Sequence, residues 1–242
     1  MYSDNKIFNN IKAILFDFDN TLVNFEEKSR EALLAVSKDI YNYIKENYKH
    51  EIDLNIIIKL TEIESNRLER EGEYNRNKWW ENVLKALNFH DIDKTQLYDW
   101  TSLYWSIASQ NEPYDDAKEI VEYLSSKGYK LGIITNSDGE GGNKNRRLRN
   151  FPLIDKFDII IIAGEEGIKP KPNLEPFILA CERLSVNPIS CMFIGDDPIK
   201  DCLAAKRANM NSVLLDRKGK VKNAELYADF VISSLTQLEE FL

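Results

Sequence analysis

The stretch ILFDFDNTLVN, residues 14–24, places two aspartates and a threonine directly after a short apolar run. The segment IKAILF, residues 11–16, has the length and apolar content of a buried strand. Moving an ionised group out of water is unfavourable. Two carboxylates at the end of a buried strand therefore indicate a contact that offsets this cost. Residues two apart in an extended chain point the same way, so we expect Asp17 and Asp19 to face a common site. The phenylalanines beside them would then pack in the core.

Two different patterns follow this strand. From about residue 25 to 110 the apolar residues recur at helical spacing, in the four segments 26–48, 53–71, 75–88 and 93–109. After Pro113, strands alternate with helices. The predicted strands are 130–135, 157–164, 191–196, 211–216 and 228–233, and the predicted helices are 115–128, 173–185, 198–209 and 235–242. Such alternation is typical of a parallel sheet covered on both faces.

The first predicted strand is short and apolar like the later strands, although a helical block separates it from them in the sequence. We therefore predict an α/β fold with a Rossmann-like parallel sheet. Residues 1–23 and 112–242 would form this core domain, and residues 24–111 would form an all-helical domain inserted after the first strand.

Composition excludes several classes of function. The chain has 242 residues and a formal net charge of −8, so a broad basic face for nucleic acid is not expected. Its longest apolar runs are too short to span a membrane, and the N-terminal MYSDNKIFNN is too polar for a signal peptide. We expect a cytoplasmic protein without nucleic-acid or membrane partners. No Cys-x-x-Cys pair is present, and His50 and His90 lack neighbouring ligand patterns, which leaves the carboxylates as candidates for chemistry.

Polar side chains follow four of the predicted strands. Ligands of open α/β sheets gather at the carboxyl ends of the strands, so these side chains should lie close together. They are Asp17, Asp19 and Thr21, then Thr135 and Asn136 in GIITNSDG, then the lysines of GIKPKP, and finally Asp196 and Asp197 in FIGDDPIKD. Carboxylates hold Mg²⁺, while hydroxyls, backbone N–H groups and a lysine bind phosphate oxygens. One carboxylate can then attack phosphorus, and another can exchange protons with the leaving group and water.

The segments FDFDNTLVN, GIITNS, KPKPNLEPF and FIGDDPIKD resemble, in this order, the four motifs of the haloacid dehalogenase-like superfamily. The resemblance covers the whole chain. A helical insertion between the first and second motifs is similar to the subgroup that carries a helical cap. The resemblance implies a Mg²⁺-dependent phosphatase that hydrolyses a small phosphorylated metabolite, a phosphate monoester, through an aspartyl-phosphate.

The resemblance also implies residue roles. Asp17 is expected to be the nucleophile and Asp19 the general acid/base. Thr135 is expected to bind phosphate through its hydroxyl, beside the backbone of Asn136. Mg²⁺ is expected to bind the carboxylates of Asp196 and Asp17 and the backbone carbonyl of Asp19.

Three more side chains complete the expected site. Asp201 should lie just outside the metal ligands, near the lysine, and Asp197 should be either a metal ligand or a neighbour of one. Thr21 could contact phosphate, or it could only form a local hydrogen bond in the turn, as threonine readily does.

Two lysines compete for the phosphate-binding role. Family members often have Lys-Pro with an aromatic residue six positions after the lysine. Lys171 fits this spacing with Phe177, whereas Lys169 has Glu175 at that position. We favour Lys171 and leave Lys169 open.

Three rival functions share parts of the pattern. A haloacid dehalogenase also uses an aspartate nucleophile and a helical cap, but halide displacement needs no acid at the position of Asp19. A phosphomutase would keep the same core and pass the phosphoryl group to a second sugar hydroxyl, a choice that the cap would decide. A phospho-receiver, a binding module, carries its acidic pair near the N-terminus and lacks a large insertion, whereas Asp196 and Asp197 come last here.

Some conspicuous residues have a simpler structural interpretation. The tryptophans of the helical block are more typical of helix packing than of substrate contacts. For Arg76 and Lys78, a solvated helix face is favoured over contact with an anionic substrate. The basic run GGNKNRRLRN, residues 141–150, is interpreted as the solvated start of a helix rather than as a site for a partner or polyanion.

Overall fold

The structure, a computed structural model, describes residues 10–90, 92–110, 112–139, 143–240 and 242. Residues 1–9, on which the expectation about a signal peptide rested, lie outside the described part. Contacts group the described residues into two compact units. The core unit draws on the described residues within Met1–Asn24, Glu112–Ser137 and Gly141–Leu242, and the helical unit on those within Phe25–Asn111 and Asp138–Glu140.

The core unit contains a parallel sheet with six strands in its described residues. They are β1 (Ala13–Phe16), β2 (Lys130–Asn136), β3 (Ile159–Ala163), β4 (Cys191–Gly195), β5 (Asn211–Leu215) and β6 (Phe230–Ile232). The strand order is β3-β2-β1-β4-β5-β6, and each neighbouring pair is parallel. The first strand therefore lies between β2 and β4, and the predicted α/β fold is confirmed.

The described part of the helical unit contains the helices α1 (Phe25–Tyr48), α2 (Leu54–Arg70), α3 (Arg76–Ala86) and α4 (Lys94–Ala108). Helix α1 packs against α2 and α4, and α3 contacts both α2 and α4. Three helices begin after an Asp or Asn whose side chain accepts a hydrogen bond from the backbone N–H two residues on. These residues are Asp53, Asn75 and Asp93, and such caps satisfy donors that the first helical turn leaves unpaired.

Aromatic side chains fill the centre of the helical unit. Trp79, Trp80 and Trp100 are buried. The indole N–H of Trp80 donates to the Thr101 hydroxyl at 2.9 Å, and that of Trp100 donates to Asp39 at 2.8 Å. A buried indole needs such a partner for its N–H group. The expectation that the tryptophans pack between helices is confirmed.

Arg76 does not lie on a solvated helix face, and that expectation was wrong. Its side chain is buried, with the guanidinium carbon 4.1 Å from the Trp79 ring centre and 4.8 Å from that of Trp105. One of its N–H groups donates to the Tyr74 carbonyl at 2.6 Å. A flat, weakly hydrated guanidinium stacks on aromatic rings, which periodicity alone does not reveal. Lys78 is exposed as expected.

The described helices of the core unit cover both faces of the sheet. They are α5 (Asp115–Ser126), α6 (Asn143–Arg149), α7 (Glu175–Leu184) and α8 (Ala204–Arg207). Alternating residues of β1 enter different clusters: Ile14 and Phe16 pack with residues of α5, and Ala13 and Leu15 pack with residues of α7 and α8. Burial on both faces explains why the strands are almost continuously apolar.

Two predicted helices take other forms. Over 198–209 the chain makes a π-helical turn at Pro198–Leu203 and only then continues as α8. Over 235–242 it forms a 3₁₀ helix at Leu235–Glu240. Turns of these kinds are short departures from α geometry that apolar spacing cannot distinguish from an α-helix.

Among the described residues, none of the helices combines the length and the apolar character needed to cross a membrane.

The packing of the helical unit gives a stability prediction. Replacing Trp80 by alanine leaves a cavity in a fully buried position, and should lower the free energy of unfolding by about 3–5 kcal/mol. Tyr98→Ala, at an exposed position of α4, is the matched control and should change it little. Denaturant unfolding measures both. Equal midpoints for the two variants would contradict the buried position of Trp80.

Candidate active site

Asp17 continues the pairing of β1 with β4. Its backbone N–H donates to the Ile194 carbonyl at 2.8 Å, so the end of β1 is fixed against β4. The chain then turns at Asn20, whose φ is +61°, and the Leu22 N–H donates back to the Phe18 carbonyl at 2.9 Å. A positive φ is tolerated by asparagine, which explains a polar residue at this turn. The strand and the turn together position the first motif.

Thr21 is buried in this turn, and its hydroxyl donates to Oδ2 of Asp17 at 3.3 Å. The local hydrogen bond expected for threonine is therefore made with the candidate nucleophile itself. Phosphate contact by Thr21 stays a prediction.

Lys171 lies among the carboxylates. Its Nζ is 2.7 Å from Oδ1 of Asp17 and 2.6 Å from Oδ1 of Asp201, and the side chain is buried. Burial opposes the charge, but the carboxylates of Asp17 and Asp201 outweigh it and hold the pKa of Lys171 above its ordinary value. Lys169 is exposed. Of the two lysines, the structure thus brings Lys171 to the site.

Asn136 holds Lys171 in place through its side-chain amide. Oδ1 of Asn136 accepts from the Lys171 backbone N–H at 2.8 Å, and Nδ2 donates to the Lys171 carbonyl at 3.2 Å. The sequence predicted phosphate contact through the Asn136 backbone and missed this contact. Thr135, the preceding residue of β2, is buried and pairs in register with Ile162 of β3.

Three carboxylates form an acidic cluster at the ends of β1 and β4. Asp17, Asp196 and Asp201 each offer an oxygen atom, and these atoms lie within 4.8 Å of one another. Burial, followed by repulsion from Asp17, raises the pKa of Asp196 well above its ordinary value. Burial raises the pKa of Asp201 to about 7, although Lys171 opposes this. Crowded hard oxygen ligands whose charges repel one another fit a divalent cation.

Gly195 and Asp197 position Asp201. A Cβ atom at Gly195 would lie 2.4 Å from Oδ2 of Asp201, so only glycine leaves room for this carboxylate. The Asp197 N–H donates to the same oxygen at 3.1 Å, while the Asp197 side chain caps the following turn by accepting from Ile199 and Lys200 at 2.8 Å each. A metal contact by Asp197 stays a prediction.

The Asp19 carboxylate points to a different group of side chains. It pairs with the ammonium of Lys144 and the guanidinium of Arg147, with Nη1 of Arg147 3.2 Å from Oδ2. Burial opposes ionisation of Asp19, but Arg147 and then Lys144 outweigh it and hold its pKa well below the ordinary value. This carboxyl is therefore ionised, the form that accepts a proton. Metal ligation by the Asp19 backbone carbonyl stays a prediction.

The interpretation of residues 141–150 as a solvated helix start was wrong for two residues. Lys144 and Arg147 of α6 are buried, whereas Arg146 and Arg149 are exposed. Residues 141 and 142 lie outside the described part. The sequence contained a pattern that could have predicted this burial. Lys144 and Arg147 share a helix face with Leu148, an apolar residue, so they lie on the face that a helix here would bury.

The comparisons with known proteins agree with this geometry. A family model described as haloacid dehalogenase-like hydrolase matches residues 11–209. Glyceraldehyde 3-phosphate phosphatase of Methanocaldococcus jannaschii is 28% identical over 239 residues, 96% of this chain and 97% of that protein. N-acylneuraminate-9-phosphatase of Mus musculus is 25% identical over 240 residues, 96% of this chain and 94% of that protein. The crystal structure of a HAD phosphatase from Thermococcus onnurineus matches with a TM-score of 0.66 and 25% identity, over 95% of this chain and 97% of that one.

The chain therefore belongs to the haloacid dehalogenase-like hydrolase family, as its four motifs predicted. It is an enzyme of the phosphatase branch of that family, and this prediction is confirmed.

The raised pKa values give a pH prediction for the metal-free protein. Between the ordinary value of 3.8 and about 7, the folded protein retains a proton on Asp201 that the unfolded chain has lost. The free energy of unfolding in EDTA should therefore fall as pH rises from about 5 to about 7, because the native state binds more protons.

Unfolding by denaturant at several pH values, in EDTA and in Mg²⁺, measures this effect. Mg²⁺ should stabilise more at pH 7 than at pH 5, and Asp201→Asn should reduce the slope in EDTA. Stability in EDTA that stays level or rises across this range would contradict the crowding of the acidic cluster.

Proposed function

We propose that this protein is a Mg²⁺-dependent phosphatase that hydrolyses a small phosphate monoester through an aspartyl-phosphate on Asp17. The observation that carries the proposal is the position of Asp17, whose carboxylate belongs to the acidic cluster and also contacts Lys171 at 2.7 Å. A nucleophile in contact with both a cation site and a lysine can attack a phosphoryl group whose charge these neighbours neutralise.

The residues of the chain divide the reaction between them. Asp17, Asp196 and the Asp19 carbonyl would hold Mg²⁺, which when bound stabilises negative charge on the transferring phosphoryl group. Lys171 and the hydroxyl of Thr135 would bind phosphoryl oxygens. An Asp17 oxygen attacks phosphorus while the bond to the leaving oxygen breaks. Asp19, after taking up a proton from solvent, passes that proton to the leaving oxygen. Asp19 then takes a proton from the water that releases phosphate from Asp17.

The substrate class follows from the polarity of the core site. Its carboxylates and lysine would bind a cation and a phosphoryl group. These groups do not select between the organic parts of different substrates. The named relatives are a phosphatase of glyceraldehyde 3-phosphate and a phosphatase of N-acylneuraminate 9-phosphate. A small phosphorylated metabolite is the class that fits this chain, and the inserted helical domain, residues 24–111, is proposed to select its organic part.

The presence of an aspartate at position 19 favours hydrolysis of a phosphate ester over dehalogenation. Asp19, whose carboxylate pairs with Lys144 and Arg147, is proposed to transfer protons to and from oxygen. Displacement of halide uses no such proton transfer. A phosphomutase would use the same groups and would differ in passing the phosphoryl group to a sugar hydroxyl instead of to water.

The nucleophile can be tested with an aryl phosphate as reporter. Asp17→Asn should lower kcat on the order of a thousandfold or more and should form no phosphoenzyme, because the attacking oxygen is lost. Asp19→Asn should slow both half-reactions. With an aryl phosphate the first half-reaction should be slowed least, because an aryl leaving group needs little protonation. EDTA should abolish turnover and Mg²⁺ should restore it. Near-normal turnover by Asp17→Asn would exclude covalent catalysis through this residue.

The two lysines provide a matched pair for a second test. Lys171→Ala should lower kcat by about a hundredfold, because the ammonium neutralises charge that develops in the transition state. Lys169→Ala removes an exposed charge and should stay within about twofold of the parent enzyme. Steady-state kinetics with the aryl phosphate gives both values, and the reverse ranking would assign the role to Lys169.

A further inference from the structure

Helix α6 separates its four cationic side chains into two pairs. Arg146 and Arg149 are exposed, as expected for a short basic helix. Lys144 and Arg147 are buried, with 1% and 4% of their surface exposed. Burying two like charges side by side is unfavourable unless they are bound to a counter-charge. The structure therefore points to a specific contact made by this second pair.

That contact is the carboxylate of Asp19. Arg147 reaches both of its oxygens, Oδ1 through Nη2 and Oδ2 through Nη1 at 3.2 Å, and Lys144 reaches Oδ2. The ring of Phe18 supports both cations, with its centre 5.9 Å from Nζ of Lys144 and 5.6 Å from Cζ of Arg147. The residue next to Asp19 thus helps to build the group that holds it.

A guanidinium that contacts both oxygens of a carboxylate fixes its orientation, whereas a single contact leaves it free to rotate. The Asp19 backbone lies outside β1 and pairs there through an isolated bridge with Val23, so its side chain gains from further control. Proton transfer requires the carboxylate to be within hydrogen-bond reach of the reacting oxygen, and a displacement of about 1 Å can lower a rate by about a hundredfold.

We propose that Lys144 and Arg147 are positioning residues, which fix the orientation of the Asp19 carboxylate. This inference rests on the proposed function, in which Asp19 exchanges protons with the leaving group and with water. Arg147 makes the larger contribution, because it alone of the two holds both oxygens.

The two half-reactions depend on this orientation to different degrees. With an aryl phosphate, the leaving oxygen departs with little protonation, so transfer to Asp17 proceeds even when Asp19 is misdirected. In the second half-reaction a water oxygen bonds to phosphorus, and the bond from phosphorus to the Asp17 oxygen breaks with its electron pair. The proton of that water passes to Asp19. A misdirected Asp19 slows this step, so the aspartyl-phosphate accumulates.

The experiment uses the full-length enzyme with Mg²⁺, 4-nitrophenyl phosphate and rapid acid quenching. Arg147→Met should lower the steady-state kcat about tenfold or more, leave KM within about threefold, and produce a burst of nitrophenol with accumulated phosphoenzyme. Arg147→Lys keeps the charge but loses the two-point contact, so its kcat should fall between those of Arg147→Met and the parent. Arg149→Met removes an exposed cation from the same helix and should behave as the parent.

An alkyl phosphate gives a second readout. Its leaving oxygen needs a proton, so Arg147→Met should lose more activity on the alkyl ester than on the aryl ester. Lys144→Gln should show the same pattern with a smaller loss. If Arg147→Met does not fold, as judged by circular dichroism and its unfolding midpoint, Arg147→Lys and Lys144→Gln carry the test.

The outcomes separate the two levels of the proposal. If Asp19→Asn accumulates phosphoenzyme while Arg147→Met and Arg147→Lys turn over like the parent, the positioning role is wrong and the proposed function stands. A kcat of Arg147→Lys equal to that of the parent, with only Arg147→Met impaired, assigns the effect to charge and overturns positioning. If Asp17→Asn retains activity, the proposed function itself fails.

Discussion

The ammonium of Lys171 between Asp17 and Asp201 is the interaction around which the rest of the core site is arranged. It lies 2.7 Å from one carboxylate and 2.6 Å from the other, in a buried position. An unpaired charge in such a position would be strongly unfavourable. Neighbouring groups therefore fix both sides of this contact: the Asn136 amide holds the Lys171 backbone, and the absence of a side chain at Gly195 admits Asp201.

Charge is distributed unevenly between the two aspartates of the first motif. Asp17 belongs to an acidic cluster whose other members have raised pKa values, an environment that favours a divalent cation. Asp19, two residues later, faces Lys144 and Arg147, which lower its pKa. Two carboxylates in different surroundings can take different chemical roles, even when they are neighbours in sequence. The turn after β1 makes this possible by directing the two side chains to separate partners.

The helical unit is stabilised by an aromatic core of its own. Trp79, Trp80 and Trp100 are buried within it, and Arg76 stacks on its rings. Each of three helices has a side-chain cap at its start. Among the described residues, this core shares none of its members with the two clusters on the faces of the sheet.

The sequence by itself determined the α/β fold, the block of helices after the first strand and the polar residues that follow the strands, from Asp17 to Asp197. These features are local. The spacing of apolar residues reveals each helix and strand, and the polar residues of the site follow directly where an apolar run ends. Asp201 was expected only from the resemblance to the family. Tertiary structure alone decided which charges meet. Lys144 and Arg147 were interpreted as surface residues of a basic run, and Arg76 as a residue of a solvated helix face. The contact of the Asn136 side chain with Lys171 was not predicted. Each is buried or paired through a partner distant in the chain, and pairing over such separations leaves no periodic signal in the sequence.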